Sequence, residues 1–292
     1  MKAAAFDYSR AASVEEACAL LARHGPDARL IAGGQSLVPM MAMRLVRPAV
    51  LVDIQRIASL NEWRVEKDFL CISACVRQNV IEREAALSEA VPLLGKAIRW
   101  IGHVQTRNRG TVGGSLAHAD PSAELPLVVA TLGAQCIVRS FRGERTIGSE
   151  SFFTGPMSTA LQADECLVEI RLPIWGAGRI GTSFEEVAIR HGDFALVAVA
   201  AQVALNAHGV CERAALGVGG AAPAPVAFPD LSRHLVGTQL DDAAMQAIAD
   251  TLAKRVAPMS DLHASAAYRR HLAHTLTLRT LRAARDEALT RS

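Results

Sequence analysis

The chain has 292 residues, of which 50% are hydrophobic and 21% are charged. A chain of this length and composition can bury a large core, which excludes a disordered protein, a fibre and a small disulfide-stabilised domain. Its 31 Lys and Arg residues against 29 Asp and Glu residues give a formal net charge of +2. A net charge this small gives no strong electrostatic attraction for nucleic acid, so we expect no nucleic-acid partner.

The six cysteines are too sparse for a disulfide framework and include no CxxC pair. We therefore interpret them as small buried side chains rather than cluster ligands.

Asp7 and Arg10 stand where a signal peptide needs apolar residues. No apolar run approaches the roughly 20 residues that cross a bilayer. The sequence predicts a cytoplasmic protein with no membrane span and no metal site of its own.

The first quarter of the chain alternates helical and strand patterns. Ser13 and Glu16 form a capping box that opens a helix, and Gly25 is suited to end it. The following elements are predicted as a strand over 28–32, a helix over 40–45 with Pro39 in its first turn, and a strand over 50–54. This order indicates at least one βαβ-like unit.

The rest of the chain predicts shorter strands and then long helices. An amphipathic helix is expected to end at Ile101, and Asp120 with Pro121 is expected to open another that Gly133 closes. Further elements are predicted as strands over 69–74, 184–189, 195–205 and 214–218 and helices over 240–256 and 263–288. The sequence therefore predicts an α+β protein with parts at 1–56, 57–175 and 176–292.

Two glycine loops carry the strongest chemical signal. Ala32-Gly33-Gly34-Gln35-Ser36-Leu37 and Thr111-Val112-Gly113-Gly114-Ser115 each join a Gly-Gly pair to a small hydroxyl residue and a helical segment. Glycines allow backbone N–H groups to converge on a phosphate, and a following helix adds free N–H groups. Two such loops are suited to hold the pyrophosphate of a dinucleotide between them.

Either loop alone is also compatible with an ordinary structural turn. The Rossmann fingerprint G-x-G-x-x-G is absent, because the first loop has neither the spacing nor the third glycine. Asp53 lies at a suitable distance for the fingerprint's acidic residue, but it does not compensate for the missing glycines. The classical NAD-binding interpretation is therefore rejected.

The chain closely resembles the FAD-binding medium subunit of molybdenum hydroxylases, the family of carbon monoxide dehydrogenase and the bacterial xanthine and nicotine dehydrogenases. The resemblance covers nearly the whole chain. It rests on the first glycine loop, the stretch 105–126 that contains the second, and the segments 47–54, 190–195, 216–220 and 268–270.

The resemblance implies a two-subdomain FAD-binding domain of the vanillyl-alcohol-oxidase (PCMH) type, followed by a smaller α+β C-terminal domain. It implies that the two loops, Ala32 to Leu37 and Thr111 to Ser115, hold the FAD pyrophosphate. Ile101 would lie on the adenine side, Asp120 and Glu124 would contact sugar or ribityl hydroxyls, and Leu167 would pack on the flavin ring.

Each of these side chains also has a simpler interpretation. Ile101 and Leu167 could belong to the core, Asp120 could be a helix cap, and Glu124 could be a solvated helix charge. His118 has no partner at metal-ligand spacing, which favours a structural role. The resemblance also has a departure, since Glu185 and Glu186 stand where some relatives carry a lysine near the flavin.

The resemblance implies the FAD subunit of a heterotrimeric oxidoreductase. A large molybdopterin subunit would hydroxylate the substrate, and a small subunit with two [2Fe-2S] clusters would pass the electrons to FAD in this chain. FAD would then pass them to an external acceptor. No catalytic residue is predicted in this chain, because the cofactor carries the chemistry. Two alternatives stay open: a free-standing FAD oxidoreductase of the same superfold, and an assembly subunit that has lost FAD.

Overall fold

A computed structural model describes residues 2–176 and 178–291 of the chain. Within those residues, helices and strands form three main sheets and a two-stranded ribbon. Each main sheet draws its strands from one continuous stretch of the chain, 7–53, 63–173 or 179–227. The boundaries at 56/57 and 175/176 remain predictions.

The first part is a small parallel sheet with strand order β1-β3-β2. Its elements are β1 (Asp7–Arg10), α1 (Val14–His24), β2 (Ala28–Ile31), α2 (Leu37–Ala42) and β3 (Val50–Asp53). The Ser13 half of the capping box is confirmed, because the Ser13 hydroxyl accepts the Glu16 N–H at 3.2 Å, whereas the Glu16 carboxylate accepts the N–H of Ala12 at 2.7 Å rather than that of Ser13. Gly25 caps the end of α1 with φ +54°.

The second part is a five-stranded antiparallel sheet of order β4-β5-β10-β6-β7, with most of its helices inserted between β5 and β6. Its strands are β4 (Trp63–Val65), β5 (Phe69–Ser73), β6 (Gln135–Ser140), β7 (Gly143–Gly148), the ribbon strands β8 (Phe153–Gly155) and β9 (Ser158–Thr159), and β10 (Cys166–Pro173). Its helices are α3 (Gln78–Arg83), α4 (Ala85–Ala90), α5 (Pro92–Ala97), α6 (Val104–Arg109), α7 (Val112–His118), α8 (Glu124–Leu132) and α9 (Ser149–Phe152).

The third part is an antiparallel sheet of order β11-β12-β13-β14 that packs against long helices. Its elements are β11 (Arg179–Val187), β12 (Val197–Leu205), β13 (Cys211–Gly219), β14 (Val226–Ala227), α10 (Pro229–Leu235), α11 (Asp242–Arg255) and α12 (Ala266–Thr290). Phe184, Ala198 and Ala200 from this sheet join the core of the second part. The opposite face packs on α12 and α10, and α11 packs against these two helices. The second and third parts therefore share a buried interface.

Three helices of the first two parts differ from their predicted bounds. The helix predicted over 40–45 begins at Leu37, and the left-handed residue Arg44 (φ +60°) ends the segment. The helix expected to reach Ile101 ends at Ala97, because the Trp100 and Ile101 N–H groups bond three residues back rather than four.

The helix after the second glycine loop begins at Glu124 and not at Asp120. The Asp120 carboxylate accepts the Ser122 N–H at 2.8 Å and so stabilises a turn before the helix. The N-cap of α8 is Ala123, so the interpretation of Asp120 as a helix cap is wrong.

The burial predicted for the cysteines is confirmed. All six cysteines are buried and unpaired. In the ranges that the structure describes, no helix combines the length and hydropathy needed to cross a membrane. Nor do these residues contain a group of three or more His, Cys, Asp or Glu side chains arranged to hold a metal ion.

Candidate functional site

The first glycine loop is in direct contact, at Gly33, with Arg109 and Gly110, the two residues that lead into the second loop. A Cβ on Gly33 would lie well below 3.0 Å from the carbonyl oxygen of Arg109 and about 3.0 Å from the Arg109 carbonyl carbon and the Gly110 Cα. These are backbone atoms and cannot rotate away. Only glycine at position 33 permits the two loops to come this close.

The first loop presents backbone N–H groups that have no protein acceptor. It connects β2 to α2, and Gly34 has φ +72°. Among the described residues, the N–H groups of Gly33, Gly34, Gln35 and Ser36 donate no hydrogen bond. Successive free N–H groups in a bent loop form a concave site for an anion. The loop is partly exposed, so a ligand can reach it.

The second loop uses its N–H groups differently. The Val112 N–H bonds to Val76 O at 3.0 Å, the Gly113 N–H to Ala74 O at 2.8 Å, and the Gly114 N–H to the Thr111 hydroxyl at 3.0 Å. Residues 112–115 are the first turn of α7, so the first two bonds attach this helix to the residues that follow β5, and the third caps it from Thr111. The free N–H groups are therefore concentrated on the first loop, while the second supplies a fixed wall and the half-buried Ser115 hydroxyl.

An ion pair between the buried Arg107 and the exposed Glu82 lies just before the second loop. The Arg107 guanidinium bonds to both carboxylate oxygens of Glu82 at 3.0 Å and to the Ile101 carbonyl at 2.9 Å. The hydrogen bonds from Arg107 lower the pKa of Glu82. A bidentate pair of this kind defines both distance and orientation. It holds the segment between Ile101 and Gly110 in one shape beside Gly33.

Glu124 is a buried carboxyl group at the first residue of α8. Its exposed fraction is 6%, so its interpretation as a solvated helix charge is wrong. Burial raises the pKa of Glu124 to about 7, and the nearby Asp120 charge adds to the increase. At neutral pH a large fraction of Glu124 is therefore protonated and can donate a hydrogen bond to a hydroxyl oxygen.

Glu186 faces Glu124 across the interface between the second and third parts. Burial raises the pKa of Glu186 to about 8, with a further contribution from the Glu124 charge. In the described chain, Glu186 Oε2 has no hydrogen-bond partner. The close approach depends on Gly217, because a Cβ there would lie 3.1 Å from Leu127 Cδ1 and closer still to the Thr131 hydroxyl. The third sheet thus brings a second buried carboxyl group to α8.

The stability of the chain is expected to fall with rising pH because of these two carboxyls. Both have a folded-state pKa above the ordinary 4.5, so the folded chain retains protons that the unfolded chain releases between about pH 4.5 and 8. Their contribution is complete at low pH and is lost as pH rises through 7 and 8, at about 1.4 kcal/mol per pH unit for each proton retained.

Glu186→Gln isolates this effect. We expect urea unfolding of the FAD-free chain to give nearly equal stability for variant and wild type near pH 5, and a variant more stable by about 3–4 kcal/mol at pH 8. An equal pH slope for the two proteins contradicts the assignment.

The two apolar candidates lie in the main core. Ile101 is 8% exposed and Leu167 is 4% exposed, and both belong to the apolar cluster of the second part. Leu167 pairs with Val138 across the sheet and begins an irregularity in β10. Packing in the core therefore buries most of the surface of both residues. Their contact with a cofactor remains a prediction.

The turn between β11 and β12 packs beside the segment that precedes α6. A Cβ on Gly192 (φ +88°) would lie 2.7 Å from His103 Cε1, and the rings of Trp100 and His191 are 6.4 Å apart. Within the described residues, neither His103 nor His191 makes a side-chain hydrogen bond, and His118 also makes none. No imidazole here is held by a carboxylate in the way that a general base is oriented.

Comparison with known proteins decides the family. The family described as "FAD binding domain in molybdopterin dehydrogenase" matches residues 4–175, and "CO dehydrogenase flavoprotein C-terminal domain" matches residues 182–284. The chain belongs to the FAD-binding subunits of molybdenum hydroxylases. It is an FAD subunit of an oxidoreductase, as the resemblance implied.

Individual relatives match along most of their length. The FAD subunit is 38% identical to the nicotine 6-hydroxylase medium subunit of Paenarthrobacter nicotinovorans over 96% of this chain and 98% of the relative. It is 40% identical to the caffeine dehydrogenase subunit beta of Pseudomonas sp. strain CBB1 over 81% and 80%.

A solved structure confirms the fold of the FAD subunit. Carbon monoxide dehydrogenase from Hydrogenophaga pseudoflava, in a form that lacks the Mo-pyranopterin moiety, matches with a TM-score of 0.95 and 33% identity over 98% of this chain and 99% of that one. The predicted α+β architecture, an FAD-binding domain followed by a C-terminal domain, is confirmed.

Proposed function

We propose that this FAD subunit transfers electrons within a three-subunit molybdenum hydroxylase. In this proposal a large molybdopterin subunit hydroxylates the substrate, and a small subunit carries two [2Fe-2S] clusters that deliver the electrons. The names of the relatives support a multi-subunit assembly, since they describe a medium subunit and a subunit beta. We also propose the cytoplasmic location that the sequence predicts. Fractionation of the source cells tests this location.

The observation that carries the proposal is the contact of Gly33 in the first glycine loop with Arg109 and Gly110, immediately before the second loop. The N–H groups of Gly33 to Ser36 are suited to bind the FAD pyrophosphate, with Thr111 to Ser115 as the opposite wall. Asp120 and the partly protonated Glu124 are suited to bind sugar or ribityl hydroxyls. Bound FAD supplies the two-electron redox chemistry, so the chain itself provides binding and orientation.

The hydrogen bonds alone give modest affinity. Four N–H groups that each contribute about 1.5–3 kcal/mol to a charged ligand give about 6–12 kcal/mol in total. The loss of ligand freedom opposes this by about 4–15 kcal/mol. Burial of the adenine near Ile101 and of the flavin ring near Leu167 must therefore supply the remainder. These apolar positions are part of the proposal for that reason.

Anaerobic mixing of the FAD-loaded subunit with the substrate of its complex tests the electron-transfer role. We expect the flavin absorption near 450 nm (an approximate value for flavins in general) to bleach only when the other two subunits are present. Bleaching with the isolated subunit contradicts the proposal and supports a free-standing oxidoreductase. A purified complex that contains this chain without FAD supports the assembly subunit instead.

A further inference from the structure

Arg77 connects the end of α6, just before the second glycine loop, to the end of the first sheet. It follows β5, and its guanidinium donates to the carbonyl oxygen of Arg109 and, at 2.7 Å, to Oε1 of Gln55. The Arg109 carbonyl is the same group against which Gly33 packs. Gln55 lies just beyond β3, where its N–H bonds to Asp53 at 2.8 Å. One side chain therefore contacts both subdomains at the point where the loops meet.

The positive charge of Arg77 has no protein counter-charge. Within residues 2–176 and 178–291, Arg77 forms no ion pair with a carboxylate, although it is half-buried. The neighbouring buried arginine, Arg107, is by contrast fully paired with Glu82. A guanidinium has five N–H donors, and two hydrogen bonds leave others available. A half-buried, unpaired cation is costly unless an anion occupies the site beside it.

We propose that Arg77 is a specificity-determining residue for the FAD pyrophosphate. It sets the separation of the two loops through its bonds to Arg109 and Gln55, and it supplies the positive charge that the diphosphate meets. This inference rests on the proposed location of the pyrophosphate between the loops. A planar guanidinium can bond to two acceptors and still face an anion, whereas an ammonium group is a single point of charge.

FAD titration of the cofactor-free chain tests this role. Arg77→Met is expected to raise the Kd for FAD about 10- to 100-fold at low salt, because hydrogen bonds to charged groups are lost. The ratio of the Kd of Arg77→Met to that of wild type is expected to decrease at high salt, since salt screens a partly exposed charge. Arg77→Lys is expected to recover part of the affinity and the salt dependence. Arg83→Met is the matched control, because Arg83 is an exposed arginine at the end of α3.

The outcomes separate this inference from the proposed function. Normal FAD affinity in Arg77→Met overturns the role of Arg77 and leaves the proposed function intact. Equal losses at both salt concentrations with no recovery in Arg77→Lys also overturn it, because they indicate a purely structural effect. A wild-type chain that binds no FAD at all overturns both. Circular dichroism of each variant confirms that the comparison is between folded proteins.

Discussion

Gly33→Ala is expected to remove tight FAD binding. The added Cβ would lie well below 3.0 Å from the Arg109 carbonyl oxygen, so the two loops must separate. Separation moves the free N–H groups of the first loop away from the wall formed by the second. Loss of two hydrogen bonds to a charged group corresponds to about 3–6 kcal/mol, or a loss of about 100-fold or more in affinity.

Fluorescence titration with FAD measures this effect. Gly155→Ala is the matched control, because a Cβ at that position meets no atom within 4 Å. The control is expected to bind FAD with wild-type affinity. A Gly33→Ala variant whose Kd stays within about threefold of wild type, a change of under 1 kcal/mol, contradicts the role of the loop contact.

Gly181→Ala is expected to cause the largest loss of stability. A Cβ on Gly181 would lie 2.5 Å from the Ala288 N–H nitrogen and closer to the Ala284 carbonyl oxygen, both in the backbone of α12. The helix must therefore shift away from β11. That shift disturbs the nearby bond from the Thr182 N–H to Glu287, which is 2.8 Å long. Overpacking of this kind costs about 3 kcal/mol.

Thermal unfolding is the direct measurement for Gly181→Ala. A loss of about 3 kcal/mol corresponds to a decrease in the unfolding temperature of about 6–12 °C for a chain of this size. The same Gly155→Ala control is expected to unfold within a degree or two of wild type. An unchanged unfolding temperature in Gly181→Ala contradicts the close packing of α12 on β11.

Local sequence signals predicted the first part of the fold well. The Ser13 half of the capping box and the buried strand β3 depend on neighbouring residues, and both are present. The start of α8 was placed too early because Asp120 can stabilise either a helix or a turn. The left-handed Ala119 (φ +54°) before it favours the turn, and sequence patterns do not reveal that angle.

The site depended on contacts between distant residues. The glycine loops are visible as motifs, but the contact of Gly33 with Arg109 results from the packing of the first part of the chain against the second. Arg77 gave no signal in the sequence, because a single arginine after a strand is most often a solvated charge. The burial of Glu124 likewise depends on the third sheet, which brings Glu186 against α8. Such tertiary effects are not encoded in local periodicity.

A crystal structure of the chain with FAD tests the central claim most directly. The account predicts that pyrophosphate oxygens lie within 2.7–3.2 Å, the usual hydrogen-bond range, of the N–H nitrogens of Gly33 to Ser36. It also predicts that the Arg77 guanidinium faces the same phosphates and that Thr111 to Ser115 form the opposite wall. A pyrophosphate bound elsewhere, with these N–H groups in contact only with water, contradicts the account.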